Sequence, residues 1–96
     1  MHFGMPTLIE CPSLEQSLIL CSGLGLDFVE LNMNLPEYQL DQFDMDGAKK
    51  LFQQYGKYPT FHLDENLNTC DFNTTVADAY VDTVIRTISL AILFNA

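Results

Sequence analysis

Basic residues are scarce in this chain. Lys49, Lys50, Lys57 and Arg86 stand against thirteen acids, giving a net charge of −9. The four bases form no dense patch, so neither nucleic acid nor an anionic membrane is expected as a partner. The acidity itself speaks to solubility and not to fold. Cysteine is sparse as well. Cys11, Cys21 and Cys70 are an odd number without CxxC spacing, which argues against a disulfide or a thiolate metal site and for reduced thiols. The N-terminus lacks a basic segment leading into an apolar core, so a cytoplasmic protein is expected and the Asn73-Thr74-Thr75 sequon is a chance match. The uncharged run from Thr87 to Phe94 is too short to span a bilayer. No glycine-rich phosphate loop and no Ser-His-Asp arrangement is present.

What is present is a 96-residue chain, 48% hydrophobic and 18% charged, which suits one domain with a modest core. Two stretches alternate apolar and polar residues. In residues 27–34, Val29, Leu31 and Met33 share one face, while Phe28, Glu30, Asn32 and Asn34 share the other. In residues 58–65, Phe61 and Leu63 lie opposite Thr60, His62 and Asp64. An earlier strand is expected over His2 to Ile9, interrupted by Pro6. Between the strands lie helix signals. Ser13 and Gln16 form a capping box ahead of Leu14, Leu18 and Cys21, and Gly23 or Gly25 ends that helix. Asp44 caps a second helix that runs to Tyr55 and stops at Gly56. Gly47 within it costs about 1 kcal/mol relative to alanine. Asn73 or Thr74 caps a long third helix with an expected buried stripe of Val76, Tyr80, Val84, Ile88 and Ala91.

The order is strand, helix, strand, helix, strand, helix. The expected fold class is therefore α/β, with three successive βα units, a parallel three-stranded sheet and the form of a partial (β/α)8 barrel. Strand starts near 3, 27 and 59 imply that eight such units need roughly 220 residues. The chain ends at Asn95-Ala96 where a fourth strand is due, so residues 1–96 are expected to be one incomplete barrel domain. Raw sheet edges on such a piece invite self-association.

A parallel sheet covered on both sides should be apolar on both. Here the second face turns polar toward the C-terminal strand ends, where α/β folds place their chemistry. His62 is the catalytic candidate, since imidazole can relay a proton or bind a hydroxyl. The bland alternative is a strand histidine satisfied by a neighbouring carboxylate. Glu30, Asn32 and Glu65 are the substrate-binding candidates. An inward carboxylate is costly unless paired or wet, so Glu30 either faces a polar cavity or is a structural acid bonded to backbone or Thr60. Asn32 and Asn34 could bond a polyol or merely turn the chain. Tyr38 lies in the loop over the mouth, and Cys70 lacks an adjacent base in sequence. A metal site needs three or more ligands; His2 falls at the wrong strand end, so none is expected within this chain alone.

Three segments resemble the start of the sugar phosphate isomerase/epimerase family, whose fold is the xylose isomerase-like barrel. They are Phe3-Gly4-Met5-Pro6-Thr7-Leu8, Leu24-Gly25-Leu26-Asp27-Phe28-Val29-Glu30-Leu31 and Phe61-His62-Leu63-Asp64-Glu65-Asn66. The resemblance implies an isomerase or epimerase of sugars or sugar phosphates, with Glu30 and His62 lining its cavity. It also implies a divalent metal, Mn²⁺ or Mg²⁺, in the complete enzyme and none in this portion, because the metal ligands and catalytic glutamates lie on later strands. Alone, the portion is expected to be inactive. The alternative is a non-catalytic α/β module that self-associates through exposed strands and the Ile92-Leu93-Phe94 end.

Overall fold

A computed structural model describes residues 1–8 and 10–94. Strand β1 (Gly4–Pro6) leads to helix α1 (Leu14–Gly23), strand β2 (Phe28–Asn32), helix α2 (Met45–Tyr55), strand β3 (Tyr58–His62) and helix α3 (Thr74–Leu93). A 3-10 turn, Pro36–Tyr38, follows β2. The strands form one parallel sheet in the order β1-β2-β3. The fold is thus α/β with three alternating βα units, consistent with part of a barrel.

The helix starts follow their capping residues. The Ser13 hydroxyl accepts from the Gln16 amide at 3.2 Å, Asp44 from the Gly47 amide, and Asn73 from the amides of Thr75 and Val76. Only the forward half of the Ser13-Gln16 box is made among the described residues. Past the ends of α1 and α2, Gly25 and Gly56 take the left-handed conformation (φ 70° and 64°) that glycine tolerates best.

The strands are shorter than their alternating patterns. β1 covers three residues where a strand over 2–9 is expected; Ile9 lies outside the described residues. Beyond Pro6 the pairing passes from backbone to side chain. The Thr7 amide donates to the Glu30 carbonyl, but the Asn32 amide donates to the Thr7 hydroxyl. β2 stops at Asn32 because its side-chain oxygen accepts from both nitrogens of Asn34 and turns the chain out of the ladder.

All three helices pack on one face of the sheet. Leu18 and Cys21 of α1, Ala48 and Phe52 of α2 and Leu90 of α3 join Met5, Val29, Leu31 and Phe61 in a single cluster. Phe94 closes it, its ring 5.8–6.2 Å from those of Phe43, Phe52 and Phe61. Tyr38 also belongs to the core and does not reach over the mouth. The stripe on α3 is rotated from expectation. Val76, Tyr80, Val84 and Ala91 are partly buried with Thr87, whereas Ile88 is 55% exposed and leaves the stripe. A 20-residue helix packed on only three strands has more apolar surface than the sheet can cover.

Candidate functional site at the carboxyl ends of the strands

The face away from the helices is assembled by strand register. Opposite residues of adjacent parallel strands point the same way, so Phe28 stands beside Tyr58, Glu30 beside Thr60 and Asn32 beside His62. Toward the strand starts this face is aromatic. The Phe28 and Tyr58 rings stack at 5.3 Å, and the His2 ring nitrogen Nδ1 lies 2.8 Å from the Tyr58 hydroxyl. Gly4 makes room for this layer, because a Cβ there would overlap the Phe28 ring. His2 is therefore fixed at the end of the sheet opposite His62.

Toward the strand ends the same face becomes polar. His62 Nδ1 and Glu30 Oε1 are 3.3 Å apart, within ion-pair reach but without hydrogen-bond alignment. Both side chains are about half exposed (47% and 40%). Such a pair adds little stability, about 0–1 kcal/mol. Water therefore meets part of the Glu30 carboxylate's desolvation cost, and the His62 ring lies against the carboxylate. The alternative bond from Glu30 to Thr60 is not formed: the Thr60 hydroxyl is shielded from solvent and has no hydrogen-bond partner. An orphan hydroxyl beside a carboxylate and an imidazole leaves unused hydrogen-bonding capacity on this face.

The other residues are placed less directly. Asn32 is half-buried, and its side-chain oxygen is occupied by Asn34. Glu65 is exposed on the loop after β3. Its amide donates to Asn34 Oδ1 at 2.8 Å, while its carboxylate has no hydrogen bond or ion pair among the described residues. The site thus brings together His62, Glu30 and Asn32, with Glu65 at the rim. Cys70 is exposed in the third loop.

Of two further contributors, one is legible in the sequence pattern only in part and the other not at all. Thr60 is placed by pairing register, which the alternation hints at without fixing the partner. Gln39 comes from the loop before α2, and its amide donates to the Met33 carbonyl and to the Asp64 carboxylate (3.2 and 3.3 Å). It ties the two loops that frame the site. Loops carry no periodicity, so only the turn chemistry around Pro36 signals that the segment doubles back.

Among the described residues, no three His, Cys, Asp or Glu side chains converge closely enough to hold a metal ion. Glu30 and His62 supply at most two donors, short of the usual ligand set. The residues present therefore do not by themselves fit a divalent metal. A cavity of about 440 Å³ lies between β3 and α3, bordered by Thr60, Phe61, Thr87 and Ile88 and by neither Glu30 nor His62. No described helix is long and apolar enough to cross a membrane.

The chain matches no protein-family model, no curated protein and no solved structure.

Proposed function

We propose that this chain forms the first three βα units of a sugar or sugar phosphate isomerase/epimerase barrel of the xylose isomerase-like type, working in the reducing cytoplasm in carbohydrate metabolism. The single observation carrying the reading is the pairing of Glu30 with His62 at the carboxyl ends of two adjacent strands, on the sheet face that none of the described helices covers. That is where barrel enzymes keep their chemistry. Aromatic rings lie deeper on the same face, so a polyol would find an apolar floor below it and polar groups around it.

Within this reading the roles follow from chemistry. Glu30 accepts hydrogen bonds from substrate hydroxyls and holds the near side of the His62 ring. His62 presents Nε2 to a hydroxyl and exchanges a proton there. Asn32 and Glu65 bond further hydroxyls at the rim. The metal expected of the complete enzyme needs ligands from further strands. Isomerisation therefore requires more chain than these residues supply, and these residues alone bind without turning over.

The two histidines make a direct test. In an NMR titration with millimolar aldoses, ketoses and their phosphates, the His62 ring signals should move while those of His2 stay fixed. Glu30→Gln should weaken the response several-fold. Unmoved His62 signals across the panel would count against the proposal.

A further inference from the structure

The acids of this chain are unevenly placed between the two ends of its sheet. The segments that leave the strands at their carboxyl ends are residues 7–12, 33–43 and 63–72. They carry Glu10 on the first, Glu37 and Asp41 on the second, and Asp64, Glu65 and Asp71 on the third. None of them holds a lysine, arginine or histidine. At the other end, residues 24–27 and 56–57 hold one acid, Asp27, and one base, Lys57. Six acids therefore sit on the loops at the end of the sheet where Glu30 and His62 meet.

We infer that this mouth selects sugars without a phosphate group, an inference that deepens the sugar-binding reading and rests on it. A phosphate ester brings about one and a half to two negative charges at neutral pH. It would enter a field of its own sign, and like charges brought together are penalised. A neutral polyol meets only hydrogen-bonding groups there, and a sugar bearing an ammonium group is drawn in.

The groups of opposite sign do not reverse the field. Helix N-termini are the backbone's own anion sites, each worth about half a positive charge. Three of them set roughly one and a half charges against six acids. Their caps already occupy end amides: Ser13 takes that of Gln16, Asp44 that of Gly47, and Asn73 those of Thr75 and Val76. Lys49 and Lys50 ride on α2, on the covered side of the sheet. Arg86 borders a small cavity with Asp41 and Asp64 and pairs with Asp82 at 3.9 Å, so it offsets only part of the local charge. On the open face at this end, His62 is the one described side chain able to carry positive charge, and Glu30 lies against it.

An NMR titration of the full chain with glucose, glucosamine and glucose 6-phosphate tests this, read at the His62 ring with His2 as reference. Glucosamine should bind tightest and the phosphate about tenfold more weakly than glucose in 20 mM salt. The spread should shrink in 300 mM salt, where screening shortens the reach of the loop acids. Neutralising three exposed acids together (Glu10→Gln, Glu37→Gln, Asp41→Asn) should narrow the gap about threefold and leave glucose within about twofold. Cationic and anionic nitroxides read the field without a sugar, and the cation should broaden His62 in larger excess over the anion than it does His2. A phosphate that binds as tightly as glucose, a gap unmoved by salt and by the triple variant, or no larger nitroxide excess at His62 would overturn this inference alone. No His62 response to any aldose or ketose, beside the expected nitroxide excess, would overturn the sugar reading and this inference with it.

Discussion

At the scale of the residue, burial divides groups of the same type. Cys70 is exposed, whereas Cys21 is fully buried and its thiol donates toward the carbonyls of Leu26 and Phe28 at 3.5 and 3.6 Å. Burial pushes the Cys21 thiol above its ordinary value near 9, against a smaller opposing effect of Lys57. Burial likewise pushes the Tyr38 phenol above its ordinary value near 10. Ser17 beside it works in the opposite direction, although the two hydroxyls stop short of hydrogen-bond geometry. The sign follows from linkage. The folded state keeps these protons to higher pH than the unfolded chain, so stability falls as pH rises past about 9. Urea unfolding midpoints should be flat from pH 7 to 8 and decline above 9, with a shallower decline in Cys21→Ala. A midpoint unchanged to pH 10.5 would contradict this account of burial.

The element scale shows what was legible in the sequence and what was not. Helix starts were legible because a cap is a local event: Ser13, Asp44 and Asn73 each bond amides two or three residues ahead. Both faces of β2 were legible because alternation is also local, and Val29, Leu31 and Met33 are the buried set. The end of β1 was not, since it depends on where the Thr7 side chain captures the Asn32 amide of the neighbouring strand. The rotation of α3 was not legible either, because two apolar stripes compete on one helix and only the sheet decides between them. Of the site, the likeness of Glu30 and His62 as polar strand-end residues was readable, but their 3.3 Å approach depends on register.

Gly47 illustrates the same limit. Its helix-propensity cost of about 1 kcal/mol is visible in sequence. Its reason is visible only in three dimensions, because a Cβ there would overlap the Asp44 carboxylate that caps α2. Asp44→Ala should therefore cost about 1 kcal/mol. Gly47→Ala should be close to neutral in the native chain, where its propensity gain is offset by a displaced cap. The same change should stabilise by about 1 kcal/mol once Asp44 is already alanine. Chemical denaturation of the four chains closes the cycle, and additive effects would refute the clash.

At the scale of the whole molecule, three βα units with helices on one side give a sheet whose other face is open. That face runs from stacked aromatics at the strand starts to an acid–imidazole pair at the strand ends. Under the proposed function, this gradient would give a substrate an apolar floor and a polar rim.

The measurement that bears most directly on the central claim is reconstitution. The chain would be mixed with a soluble chain carrying five further βα units of a xylose isomerase-like barrel, in the presence of Mn²⁺ or Mg²⁺. The account predicts isomerase or epimerase turnover on a sugar or sugar phosphate that neither chain shows alone, reduced at least 100-fold by His62→Ala. A stable complex of the two chains with no turnover, or turnover indifferent to His62→Ala, would contradict it.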